Sequence, residues 1–148
     1  MKEGESSHYH LKPMHRKYLL ITTAVAEGGT GLVLLALPSV PLALLLGLGD
    51  TPAVAAVVAR IAGAALVTIA VGCWMARNEK DGRAASGMLA GVLFYDLAAA
   101  AILAYTGLVV GLVGIALWPA VGVHVVLAVW CSRCIFGATA GASDARPS

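Results

Sequence analysis

Four ionisable residues lie inside apolar stretches of the chain, one in each stretch: Glu27, Arg60, Asp96 and His124. Two acids, an obligate cation and an imidazole are the ingredients of an ion pair, a proton relay or a small-ligand site, and an arginine can take a carboxylate bidentately. Their setting constrains them. A charge at the centre of a bilayer costs roughly 2.5–3.5 kcal/mol even on lenient insertion scales, so such residues face a bundle interior and pair with one another. Counted at ~1.5 Å per residue from the predicted helix ends, Glu27 lies ~13 Å, Asp96 ~18 Å, Arg60 ~19 Å and His124 ~14 Å above the inner boundary. The four then share a slab about 6 Å thick in the middle of a ~30 Å core. Arg60 is expected to hold Glu27 or Asp96. The other acid is then protonated, paired with protonated His124, or held by Tyr95 or a threonine hydroxyl. Such a cluster reads as a binding or proton-handling centre, or as a structural network that fixes which helices pack together.

A second constellation carries sulfur. Cys131-Ser-Arg-Cys134, with Cys73 predicted at the same membrane level, has the donors for a soft metal or for thiol exchange. Read without chemistry, these are small buried side chains. All three fall near predicted cytoplasmic helix ends, where thiols stay reduced, so no disulfide is expected. His8, His10 and His15 lie beside Met14 in the first residues, where a His-x-His pair can bind a transition metal or can simply be a solvated tail. No HExxH, GxSxG, Walker loop or CxxCH is present, and the chain reads as non-enzymatic. The sequence names no cofactor.

The elements that must position these residues are transmembrane helices. The chain has 148 residues, 59% hydrophobic and 12% charged, with a mean hydropathy of +0.86, a composition of the membrane class. A net charge of +2, with no basic run interleaved with aromatics, argues against nucleic acid as a partner. The fold class expected is all-α, a four-helix transmembrane bundle. A polar cytoplasmic tail covers 1–17, the spans cover about 18–37, 53–76, 84–105 and 115–134 within a membrane domain 18–136, and 137–148 form a disordered tail. Pro38 and Pro41 end or bend span one, which otherwise continues to about Leu48. Thr23, Glu27, Thr30 and Gly31 share one helical face. Gly87-xxx-Gly91 in span three is a close-packing motif, for a helix of this chain or of a second copy. Gly107–Gly114 reads as a short outer connection, and Trp118-Pro119 as the first turn of span four.

Charge sets the orientation. Basic residues occur in the first 17 positions, in Arg77–Arg83 and near the C-terminus, while the other two connections hold only Asp50. The positive-inside rule therefore places both termini in the cytoplasm of a bacterial-type plasma membrane, the lipid bilayer being the first partner and a homo-oligomer or larger membrane complex a further one. Ala24-Val25-Ala26 resembles a signal-peptide cleavage site, but cleavage would turn Arg77, Lys80 and Arg83 outward, so an uncleaved chain is expected. The outer connections carry little charge, which points to water entry from the cytoplasmic side. An echo between Gly31-LVLLALP-Ser39 and Gly111-LVGIALWP-Ala120 hints at an internal repeat.

The stretch Ala59-Arg60-Ile61-Ala62-Gly63-Ala64-Ala65-Leu66, taken with Pro38 and Pro41, resembles small four-helix bacterial membrane proteins of the DoxX-like kind, in which an arginine followed by a glycine opens the second span. The resemblance covers about two helices. It implies the four-span architecture, and for some members of that group an accessory role in redox or respiratory chains. Three functions are therefore open: a binding or accessory membrane protein, a proton-coupled transporter of a small solute working as a homo-oligomer, or metal and thiol handling at the cytoplasmic face.

Overall fold

The computed structural model describes the backbone of residues 6–79 and 83–143, and the side chains of 15–79 and 84–136. These residues form helices α1 (Ser6–Ala36), α2 (Ser39–Leu46), α3 (Ala53–Ala76), α4 (Arg83–Tyr105) and α5 (Leu117–Ser143), with a π-helical turn over Thr106–Val110 and no strand among them. Four stretches are long and apolar enough to cross a membrane: His15–Ala36, Ala53–Ala76, Ala84–Val110 and Leu117–Phe136. Only 17–33% of each is buried inside the bundle, so most of the apolar surface faces outward, as lipid as a solvent requires.

The chain runs up and down four times. α1 packs along α3 and α4 along α5, and the two hairpins meet through α1 with α5 and α3 with α4. Each spanning helix turns one narrow stripe inward, built on three- and four-residue steps. In α3 the stripe is Ala59, Gly63, Leu66, Ala70, Cys73 and Ala76. Its small residues let α1 approach closely, and Gly28 meets Ala70 where Gly31 meets Gly63.

Span one ends at Ala36. Pro38 begins the separate short helix α2, which stops at Gly47 in the left-handed conformation (φ 70°) with its N–H on the Ala43 carbonyl. Two backbone bonds then tie α2 to the connection between α4 and α5: Gly114 N–H to Leu45 O at 2.9 Å and Ala116 N–H to Leu44 O at 2.8 Å. They satisfy helix-end carbonyls that would otherwise be orphaned in an apolar setting. Three hydroxyls within the spans are satisfied locally, Thr68 on Ala64 O, Thr106 on Ile102 O and Ser132 on Ala128 O. At the C-terminal end of α3 the Arg77 guanidinium caps the Trp74 carbonyl and lies 3.9 Å from the Trp74 ring centroid.

Several boundaries differ from those expected. The helix of span one starts at Ser6, inside the segment expected to be a tail, because nothing except Pro13 interrupts helix formation there. α5 likewise runs on to Ser143 through much of the expected disordered tail; residues 144–148 lie outside the described ones. Span three continues through a π-helical turn to Val110, closed by Gly111 at φ 78°, which leaves a shorter outer connection than Gly107–Gly114. The echoed segments adopt different structures, since 31–36 is helical and 111–116 is not.

Candidate functional site

The inward stripes of three helices carry polar groups to one place. On α1 Leu20, Thr23, Ala24, Glu27 and Gly31 are buried; on α4 Ala85, Leu89, Val92, Asp96 and Ala100; on α5 Leu117, Leu127, Ala128 and Cys131, with His124 in phase with them. Glu27 is 4% and Asp96 0% exposed. Thr30, expected on the face of Glu27, is exposed instead, because a 3.6-residue turn carries position 30 past the edge of a narrow stripe.

Asp96 Oδ1 and His124 Nδ1 are 2.9 Å apart, in hydrogen-bond contact. Tyr95 Oη donates to Glu27 Oε2 at 3.1 Å. The Tyr95 and His124 rings meet edge to face, with centroids 5.6 Å apart. One ligand atom from each of Glu27, Asp96 and His124 lies within 4.8 Å of the other two. The group is thus two carboxylates, an imidazole and a phenol drawn from α1, α4 and α5. Two buried polar atoms on these stripes have no hydrogen-bond partner, Asp96 Oδ2 and Thr23 Oγ1, the latter one turn before Glu27. Buried acceptors are ordinarily paired, so Asp96 Oδ2 is an unmet demand for a hydrogen-bond donor or a positive group.

Arg60 is not part of this group. Its side chain is exposed, and Nε donates to the Leu35 carbonyl at 3.3 Å. No carboxylate among the described residues lies in ion-pair reach of it, so the convergence expected for the four midplane residues fails for the cation. The reason is register. Gly31 packs on Gly63, which puts Arg60 level with Leu35, about 12 Å along α1 from Glu27 at ~1.5 Å per residue. The consequence is electrostatic: the two buried acids have His124 as their one basic neighbour among the described residues.

The cysteines do not form the ligand set proposed from their spacing. All three are free, and no metal-ligating group that includes them gathers among the described residues. The Cys131 thiol donates to Leu89 O at 3.1 Å. Cys73 and Cys131 are part of a packed apolar core with Leu19, Leu20, Ala24, Ala76, Leu89, Val92 and Leu127. Those residues precede Glu27 on α1, precede Asp96 on α4 and follow His124 on α5. The core therefore closes the bundle between the polar group and the end that bears the α3–α4 turn, the side from which water entry was expected. His124 keeps 14% of its side chain exposed and is the edge of the charged group. His15 is exposed, and the side chains of His8 and His10 lie outside the described residues. Tyr95 was legible from its place beside Asp96; the absence of Arg60 was not, because a single sequence carries neither the axial register between two helices nor which way a residue faces. No family model matches this chain, and neither a curated protein nor a solved structure does, so the DoxX-like resemblance rests on the residues quoted for it alone.

Proposed function

We propose that this chain is a small multi-pass membrane protein with a binding or accessory role, whose interior group of Glu27, Tyr95, Asp96 and His124 holds a small cationic or polar species. The observation that carries this is the charge balance of the group: two carboxylates almost wholly buried, a single imidazole between them, and Asp96 Oδ2 without a hydrogen bond. An excess of negative charge inside a lipid-facing bundle is costly, and a bound positive group offsets it. The basic residues at the α3–α4 turn and near both termini support a cytoplasmic position for that end, in a bacterial-type inner membrane.

Native mass spectrometry of the full chain released from mild detergent tests this. The expected result is a stoichiometric non-lipid species on the unaltered protein, absent from Asp96→Asn and from Glu27→Gln. Identical spectra for all three, with lipid adducts only, would reduce the group to a packing network. A second reading is proton-coupled transport, favoured by the Asp96–His124 hydrogen bond, which lets a proton move between an acid and an imidazole. It requires proton flux in proteoliposomes that Asp96→Asn abolishes.

A further inference from the structure

We propose that Glu27, Asp96 and His124 are the protein ligands of one divalent transition-metal ion of the manganese, iron or zinc class. The inference rests on the binding reading above and names its ligand.

Geometry comes first. Ligand atoms around one such ion sit ~2.0–2.2 Å from it, hence within roughly 4.4 Å of one another. The three atoms here already lie within 4.8 Å of each other. The three side chains therefore stand near ligating separation before any ion is bound, and closing on one ion draws them further together. The ligands come from three helices, so the bundle supplies a preformed cage and not a flexible chelating loop. Tyr95, whose hydroxyl is on Glu27 Oε2, holds that carboxylate in place, as partners of ligating groups commonly do.

Charge comes second. Two carboxylates and a neutral imidazole sum to two negative charges, which a divalent cation cancels. The arginine that could have offset one of them is on the Leu35 carbonyl. The independent observation is Asp96 Oδ2, fully buried with no hydrogen bond, while the Oδ1 of the same carboxylate is held by His124.

Donor chemistry narrows the class. Imidazole suits zinc, iron, nickel and copper, carboxylates suit magnesium, calcium and manganese, and a mixed nitrogen–oxygen set favours the borderline ions between them. No sulfur takes part, since the Cys131 thiol is engaged with Leu89 O, and this disfavours a monovalent copper site.

The test uses the full chain in lipid nanodiscs, with His8, His10 and His15 changed to alanine so that the N-terminal histidines contribute no metal binding. Cadmium-113 is the first probe. One equivalent should bind, giving a resonance in the range of oxygen and nitrogen ligands, displaced by Zn²⁺. Affinity should fall more than tenfold in Asp96→Asn and in Glu27→Gln, and stay unchanged when Cys73, Cys131 and Cys134 are replaced by serine. Because the acid variants can lose the fold, a second measurement uses unaltered ligands: Mn²⁺ bound to the protein should show electron spin-echo modulation from one imidazole nitrogen. No bound metal, a resonance in the thiolate range, or Mn²⁺ without nitrogen coupling overturns the inference. A non-metal species held by the unaltered chain and lost with Asp96→Asn, with no metal bound, overturns the metal and leaves the binding reading standing. Absence of both overturns both.

Discussion

Gly31 of α1 and Gly63 of α3 face each other so closely that a Cβ on either would lie 2.7 Å from the carbonyl oxygen of the other. At Gly63 the added atom would also meet Leu34 Cβ at 2.9 Å and Leu35 N at 3.0 Å, so the obstruction is largely backbone and cannot turn aside. Gly63→Ala is therefore expected to destabilise the bundle by about 1–3 kcal/mol, the usual cost of overpacking. Gly91→Ala is the control, because nothing lies within 4 Å of its added Cβ, and it should leave stability unchanged or raise it by roughly 0.5–1 kcal/mol through helix propensity. Thermal unfolding followed by a thiol-reactive dye suits the comparison, since Cys73 and Cys131 are fully buried until the helices part. Equal melting of the two variants would remove this seam from the account of the fold.

The end of the bundle that bears α2 depends on a different glycine. A Cβ on Gly114 would collide with the Leu44 carbonyl oxygen, and the Gly114 N–H is bonded to the next carbonyl, that of Leu45. Gly114→Ala should therefore release α2 from the α4–α5 connection. The effect is expected to be local, because the packed core lies at the other end. Hydrogen exchange should quicken for the amides of 114 and 116 and stay unchanged for 89–92. Protection preserved at 114 and 116 would contradict the clamp.

How much of this was legible in the sequence divides along one line. Helix number, approximate spans and the inward placing of Glu27, Asp96 and His124 follow from hydropathy and from the cost of charge in lipid, and those are properties of composition along the chain. What the sequence could not supply was rotation and the register between helices. Arg60 obeys the same cost argument as Asp96, yet a long side chain at an exposed position can find a backbone carbonyl and needs no acid. Gly87 and Gly91 form the motif expected at a helix seam, but both are exposed with open space above them, while the close crossing uses Gly31 and Gly63. Cys73 and Cys131 share a level, as their spacing implied, and there they serve packing. A pairwise register between α1 and α3 would have settled Arg60 and the Gly31–Gly63 crossing, and no single-helix pattern contains it.

Arg60 gives a prediction opposite to the one its sequence position suggests. Were it the partner of Glu27, Arg60→Leu would strand a buried carboxylate and Glu27→Gln would recover part of the loss. In the structure Arg60 bonds Leu35 O, two turns away from Glu27, and the Glu27 carboxylate takes its hydrogen bond from Tyr95. The two changes should then add within about 0.3–0.5 kcal/mol, as separated sites do. Recovery in the double variant would restore Arg60 to the polar group.

The last prediction concerns the Asp96–His124 pair, whose members are unequally placed. Asp96 is fully buried and already has one oxygen without a hydrogen bond, whereas the imidazole keeps part of its surface exposed. Removing one partner of a buried pair costs about 3–5 kcal/mol, because the other is left uncompensated. His124→Leu takes the remaining partner from Asp96 and should be the most damaging single change. Asp96→Leu leaves an imidazole that can still turn its nitrogen toward the bundle surface, so its cost should be smaller. Asp96→Leu with His124→Leu replaces the pair by two apolar residues at similar volume and should be more stable than His124→Leu alone, with a coupling of about 0.5–3 kcal/mol. The order of melting temperatures is thus His124→Leu lowest, Asp96→Leu above it, and the double variant above His124→Leu. Additive losses would mean that the 2.9 Å contact carries no coupling. A double variant that folds also gives a bundle from which two of the three ligand groups have been removed, so any species retained by the unaltered chain and lost from this variant is assigned to the group and not to the lipid-facing surface.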